Sequence, residues 1–385
     1  MSRAFTDFYS DHGAHLVSRS YDDVKILFKA REALFVSLGL PPSFLADRSI
    51  LEFGPGTGHY SVFNFLQRPS KYHFVEGVPE ASLALRQRLA NYQDNDVQWF
   101  VEDTLFEQFH TDDKYDVVIA ESCIPHQKNP SKLFSRFAEF VLPGGVLIIT
   151  TASGASHLSE TLRRLIRDKL IHPTEPAEQQ LDIMVPIIAG HLENLKGVSR
   201  TADDWVLDNI IQPLGEVELF SIAQAIDSVT DDFSVLGTAP KMIQDWSWHR
   251  TLSDPADHSR RNAKKQYYSN ICGLLDLRYP NLTVEAEMGE QLENECHKLW
   301  YAMGALERQR DPNWSSVLGR LQELERVLLE IKSPTVDALK EVVDFLKSDS
   351  KDSTRMRHFP HWWGVGQQHI AFYRNSYIFD VKSAR

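Results

Sequence analysis

Three short segments of this chain combine residue types that do chemistry with spacings that let them act together. The first is Glu52-Phe53-Gly54-Pro55-Gly56-Thr57-Gly58. Glycines at alternate positions let the backbone turn sharply and let a ligand press against it with no Cβ in the way. The second is a pair of acids, Glu76 in Phe74-Val75-Glu76-Gly77 and Asp103 in Val101-Glu102-Asp103-Thr104. An ionised carboxylate only accepts hydrogen bonds, so Glu76 suits the two hydroxyls of a ribose and Asp103 the exocyclic amine of an adenine. The third is Glu121-Ser122-Cys123-Ile124-Pro125-His126, which offers an imidazole able to take a proton near neutral pH.

Such segments cooperate only if one scaffold brings them to a common edge. Short apolar runs at Ile50–Phe53, Tyr72–Val75, Val97–Val101, Tyr115–Ala120 and Val146–Thr150 alternate with helical stretches. That rhythm implies βαβ units and a mainly parallel sheet covered on both faces. The glycine segment then falls just past the first strand, where open α/β sheets bind ligands. Upstream, Val24, Leu27, Phe28, Leu34, Phe35 and Leu38 form a helical stripe that Pro41-Pro42 ends.

Beyond Thr151 helical periodicity dominates, as in Leu158–Leu170 and Leu318–Ile331. Phe233–Leu236 and Gln368–Tyr373 still read as strands, the last two of the same sheet; otherwise the sheet ends at Thr150 and an independent helical domain follows. The expected fold is α/β: a Rossmann-like, seven-stranded, mostly parallel sheet with helices on both faces. A large helical cap is inserted after strand five and between strands six and seven. The expected divisions are an N-terminal helical segment (1–48), a core (49–154), a first helical insertion (155–212), a core continuation with strand six (213–249), a second insertion forming the cap (250–355), and the last strand with its tail (356–385).

Composition narrows the function classes. The chain has 385 residues and a formal net charge of −12, without long Lys/Arg runs, which argues against a general nucleic-acid binder. Three widely spaced cysteines give neither a disulfide framework nor a CxxC metal pair. His358, His361 and His369 lack ligand spacing on one helical face, so no metal is expected. The first residues lack an apolar signal core and no apolar stretch nears the ~20 residues of a membrane span, so the expected setting is cytoplasmic, away from the membrane.

The glycine loop, the acids after strands two and three, the Glu121 segment and Leu142-Pro143-Gly144-Gly145 resemble, in order, the class I S-adenosylmethionine (SAM)-dependent methyltransferases across residues 49–151. The resemblance implies SAM as cofactor. Its contacts would be Glu52, Gly54, Pro55, Gly56, Gly58, Glu76, Asp103, Thr104 and Glu121, with the glycine loop against the amino-acid part, Glu76 on the ribose and Asp103 facing the adenine. Glu52 and Glu76 stand where Asp is more often seen. A nicotinamide dehydrogenase fits less well, because His59 replaces the last glycine of the dinucleotide fingerprint and the strand-three acid has no role there.

The resemblance also places the loop after strand four beside the transferred methyl. His126 is then the candidate catalytic base, the other reading being that it packs on the cofactor or caps the next helix. Cys123 reads as a small buried apolar residue. Trp205, Trp246, His249, His361 and Trp362 either wall a substrate pocket or glue the helices to the core. The basic groups Arg163, Arg164, Arg167, Lys169 and Arg260, Arg261, Lys264, Lys265 are either solvated faces or docking sites for an anionic partner.

The expected function is methyl transfer from SAM to an oxygen or nitrogen of a small or medium-sized metabolite enclosed under the cap. The layout is loosely similar to the plant-type carboxyl methyltransferases, whose motifs are not matched. Methylation of a peptide or protein, or SAM binding without transfer, are the other readings.

Overall fold

The structure is a computed structural model, and it describes residues 24–92, 96–125, 127–172, 174–196, 201–214, 218–246, 248–249, 256–308 and 314–376. It opens on helix α1 (Val24–Ser37) and then alternates β1 (Ser49–Phe53), α2 (Ser61–Phe65), β2 (Lys71–Glu76), α3 (Pro79–Ala90), β3 (Gln98–Asp103), β4 (Tyr115–Ala120), α4 (Pro130–Glu139) and β5 (Val141–Ala152). Four helices precede β6 (Phe233–Ala239): α5 (Leu158–Leu170), α6 (Ala177–Leu192), α7 (Ala202–Val206) and α8 (Ile222–Ser228). Five more precede β7 (Gln367–Arg374): α9 (Ala256–Ser269), α10 (Cys272–Leu275), α11 (Ala286–Glu307), α12 (Ser315–Glu330) and α13 (Val336–Lys347).

All seven strands join one sheet in the order β3-β2-β1-β4-β5-β7-β6. The first five are parallel, and β7 runs antiparallel to both β5 and β6. The two strands expected far downstream therefore close the edge of the sheet that begins at Ser49, and the sheet does not end at Thr150. The expected turn Leu142–Gly145 is absorbed into β5, whose register against β4 shifts between Tyr115 and Val117. Of the expected N-terminal segment, residues 1–23 lie outside the described residues.

Alternation along each strand divides the core. Ile50, Tyr72, Phe74, Val117, Ile119, Val146, Ile148 and Ala371 face the layer carrying α1, α2 and α3. Leu51, Phe53, Val75, Val118, Ala120, Leu147, Ile149, Ile370 and Phe372 face the other, where one continuous apolar cluster runs through α4 and out into α8, α11, α12 and α13. Each such fully buried side chain contributes about 1.5–3 kcal/mol, so the added helices are held to the sheet by the same burial that holds the sheet together. On the first face the chain leaving α1 presses on β6: a Cβ at Gly237 would lie 2.6 Å from the Leu38 carbonyl oxygen.

Helix α5 corrects both readings of its basic residues. Arg163, Arg164 and Arg167 are buried, not solvated and not free to dock a partner. Arg163 donates to the Trp362 carbonyl (2.9 Å) and lies 3.6 Å over the Trp363 ring. Arg164 donates to the carbonyls of Asn209 (2.8 Å) and Gln212 (3.0 Å), and Arg167 to that of Ile210 (2.8 Å). Both pair with Glu307 of α11. Guanidinium groups suit this work because several directed donors can satisfy carbonyls freed at irregular chain turns. On α9, by contrast, Arg261 and Lys265 are exposed and Lys264 pairs with Asp227 near the surface.

Trp362 takes the second of its two readings, as glue between helices and core. Its ring is fully buried and its Nε1–H donates to the Leu275 carbonyl at 2.7 Å, so it fastens the segment before β7 to α10 and walls no open pocket. Trp362→Ala should therefore lower stability by about 3–5 kcal/mol, read as a shift of the urea midpoint. A variant with the wild-type midpoint would mean that the ring is dispensable to packing.

Candidate functional site

From β1 the chain winds to β2 and β3 on one side, then crosses to β4 and β5 on the other. The strand order thus reverses between β1 and β4, which opens a crevice at their carboxyl ends. The glycine loop follows β1, Glu76 ends β2, Asp103 ends β3 and Glu121 follows β4, so the fold gathers the expected segments along one edge.

Gly54, Gly56 and Gly58 all adopt left-handed backbone, with φ of 66°, 56° and 79°. Their surroundings differ. A Cβ at Gly54 would lie 3.0 Å from the Cβ of Cys123, and one at Gly58 only 2.4 Å from Leu85 Cδ1, so at both an added side chain would meet packed neighbours as well as an unfavourable φ. At Gly56 no atom of the described residues lies within 4 Å of that Cβ position, which leaves room for a ligand to approach the backbone. Beneath the loop sits Glu76, 2% exposed, accepting from the backbone N–H groups of Gly56 and Val78, each at 2.9 Å. Burial raises its carboxyl above the usual range, partly offset by those two bonds. Each carboxylate oxygen keeps a further lone pair.

Asp103 lies beside Glu76 in register, and its carboxylate is held by Arg86 at 3.0 and 3.1 Å and by the Ser82 hydroxyl. These bonds lower its carboxyl below the ordinary value. An adenine amine reaching Asp103 would share it with Arg86. The Thr104 N–H is taken by the Glu76 carbonyl at 3.1 Å.

Glu52 is an interior residue. It is 3% exposed and accepts from Ser61 Oγ at 2.9 Å and from the Tyr72 hydroxyl. Burial pushes its carboxyl up to about 7. Cys123 is buried as expected, and burial pushes its thiol up, which suits an apolar filler and not a nucleophile.

Past β4 the structure reveals partners that sequence reading missed. Arg31 of α1 grips Glu121 with both terminal nitrogens, at 2.8 and 2.9 Å, and His369 of β7 meets the same carboxylate at 3.2 Å. Burial pushes the Glu121 carboxyl up, but the Arg31 charge and the His369 hydrogen bond overcome it and hold it well below the carboxylate range. Arg31 also lies 4.9 Å over the ring of Tyr60, which follows the glycine loop. The available signal was a cation on an apolar stripe: Leu27, Arg31 and Phe35 are the buried residues of α1, spaced four apart. Ser122 next takes φ 58°, rare outside glycine, and is clamped by Thr150 Oγ1 (3.0 Å) and Gln367 Oε1 (2.9 Å). Such a bend costs about 1–2 kcal/mol, which the two clamping bonds help to offset. His126 lies outside the described residues; Gln127 beyond it is buried and donates to the Cys123 carbonyl at 2.9 Å.

The residues expected to wall a pocket sit in separate surroundings. Trp205 is half-buried, edge-on to Trp363. Trp246 and His249 are exposed, with Trp246 stacked on the exposed Trp248, and His361 is exposed as well. Among the described residues no three His, Cys, Asp or Glu side chains gather into a metal set, and no helix is long and apolar enough to cross a membrane.

Residues 27–181 match a family model described as a methyltransferase domain. No curated protein matches the chain. Among solved structures, the CcbJ methyltransferase from Streptomyces caelestis is similar at 26% identity, covering 34% of this chain and 51% of its own, with a TM-score of 0.28. The N-methyltransferase NodS from Bradyrhizobium japonicum WM9, in complex with S-adenosyl-L-homocysteine (SAH), is similar at 18% identity, with coverage of 40% and 74% and a TM-score of 0.32. The chain thus spans about half the length of the first of these. Sheet order, glycine loop and family match together define a class I, Rossmann-like methyltransferase domain. Residues 27–181 of this chain carry it.

The raised Glu52 carboxyl makes a pH prediction. Native Glu52 takes up a proton at a pH where the unfolded side chain, near 4.5, has lost it. Its contribution to stability therefore falls as pH rises from about 4.5 through about 7. Between pH 5.5 and 8 that loss is about 2 kcal/mol. Glu52→Gln should abolish it, so urea midpoints at the two pH values should lie closer together than in the wild type. Equal pH slopes in both proteins would refute the assignment.

Proposed function

We propose that this protein binds SAM across the β1/β4 crevice and transfers its methyl group to an oxygen or nitrogen of a small or medium-sized molecule. The observation that carries the reading is Gly56, left-handed and open, seated on the buried Glu76 carboxylate. SAM supplies an electrophilic methyl on a sulfonium, so the protein must bind, align and exclude water. Gly56 gives the ligand close approach to backbone, and the unused lone pairs of Glu76 accept the ribose hydroxyls. Asp103, shared with Arg86, takes the adenine amine.

The substrate is held under the helices that precede β6 and β7. Close contact where α11 meets the end of β5 supports this: a Cβ at Gly154 would lie 2.6 Å from the His297 ring, and Glu293 accepts from the Ala155 N–H at 3.2 Å. His126 removes the proton from the substrate nucleophile, from a loop whose two ends are anchored at Ser122 and Gln127. A docking surface for peptides loses its main support, because the arginines of α5 are interior.

Calorimetry with SAH should give one site per chain, and Glu76→Ala should weaken it about thirtyfold, as expected for losing about 2 kcal/mol of charge-assisted hydrogen bonding. Unchanged affinity in the folded variant would overturn the ribose assignment. SAH release from SAM with a panel of carboxylic acids, glycosides and peptides tests transfer itself. Release with peptides alone would overturn the small-molecule reading, and binding without release from any class would leave a SAM-binding protein.

A further inference from the structure

The strand that closes the sheet reaches back across β5 to the end of β4. Gln367 and His369 alternate along β7 and so share one face. His369 meets Glu121 at 3.2 Å, and Gln367 Oε1 accepts from the hydroxyl of the next residue, Ser122, at 2.9 Å. The contact falls at the carboxyl edge, where Gln367 stands opposite Ala152, the last residue of β5. Ser122 is exposed, bent into left-handed backbone and held at its N–H by Thr150 Oγ1. With its carbonyl turned toward Ser122, Gln367 presents the two N–H groups of Nε2, which have no partner among the described residues. Unlike the Arg31 Nε–H, this donor is not enclosed, for Gln367 is only half-buried. Beside it Gly366, with φ 69°, has no atom of the described residues within 4 Å of its Cβ position. The amide therefore faces open space at the crevice, next to the loop that follows β4.

We infer that Gln367 determines substrate specificity: its amide N–H groups hold a carbonyl or carboxylate oxygen of the substrate next to the atom that receives the methyl. The assignment rests on the reading of the crevice as a SAM site and deepens it by naming the substrate class. Two N–H donors on one nitrogen suit an oxygen that has lone pairs and no hydrogen of its own. A substrate hydroxyl would bring a hydrogen as well, and the Gln367 carbonyl that could accept it is turned toward Ser122. An uncharged donor also orients the substrate without drawing off the charge that its nucleophile must offer to the methyl. Ser122 is then the positioning residue: its bend and its hydroxyl set which end of the amide faces the crevice. The last strand of the sheet would thus supply the substrate contact, from a position 245 residues beyond the loop it meets.

Two measurements on the full chain test this. Calorimetry with SAH reads the cofactor site, and SAH release from SAM compares matched pairs, benzoate with benzyl alcohol and octanoate with octanol. The wild type should use the acid of at least one pair about tenfold to a hundredfold better than its alcohol in kcat/KM, the range for a hydrogen bond to a charged group. Gln367→Glu keeps the shape and the acceptor for Ser122 but replaces the donors with carboxylate oxygen. It should cut that preference to within about threefold while SAH affinity stays unchanged, tenfold being 1.4 kcal/mol. Gln367→Met removes the donors without adding charge and should act in the same direction. Equal use of acid and alcohol by the wild type, or use of neither, overturns the assignment whether or not the variants fold, and SAH binding then leaves the SAM reading intact. Either variant keeping the full preference also overturns it. If the wild type does not bind SAH, the SAM reading fails and this assignment with it.

Discussion

A carboxylate buried at the end of β4 has to be compensated, and that constraint organises the crevice. Glu121 is out of water, and removing one partner from a buried ion pair typically costs 3–5 kcal/mol. Its compensation comes from both ends of the described chain: Arg31 from α1, before the first strand, and His369 from β7, the last strand. The pair therefore ties α1, β4 and β7 together over the crevice and sets Tyr60 against the Arg31 guanidinium. The arrangement is costly as pure architecture, since well-packed apolar residues would serve as well or better. It stands at the strand-order reversal, on the crevice.

The same logic recurs, without a crevice, in the helices beyond β5. Three buried arginines on α5 collect carbonyls of the Asn209–Gln212 turn, Glu307 on α11 and the ring of Trp363 before β7. One helix thus cross-links segments far apart in sequence, and the apolar cluster running from the sheet into α11–α13 makes them one body. In both places one donor stays unpaired among the described residues, the Nε–H of Arg31 and that of Arg163.

Much of the fold was legible because its signals are local. Short apolar runs of four to six residues announced all seven strands, and Pro41-Pro42 announced the end of α1. The glycine spacing announced the loop, and the acids after β2 and β3 announced the carboxyl edge. What misled were side chains whose meaning depends on distant neighbours. Basic residues on α5 read as solvated faces or docking sites because charge usually lies outside, and Trp362 left two readings open, pocket wall or glue, because large aromatics serve as either. For Glu52, expected as a cofactor contact because it adjoins the loop, the local pattern did not show its interior partners Ser61 and Tyr72.

By itself, then, the sequence determined the periodicities: which stretches are strand or helix, where the backbone needs glycine, and which acids follow which strand. Those are matters of sterics and hydrogen-bond geometry over a few residues, and they travel with the chain. Only the tertiary structure decided which charges are buried and what answers them. Glu121 and Arg31 stand 90 residues apart, and Ser122 and Gln367 stand 245 apart. A charge's environment depends on what the fold packs against it, and no local pattern encodes that. The pairing of Arg31 with Glu121 could be seen only once the sheet had brought its two ends together.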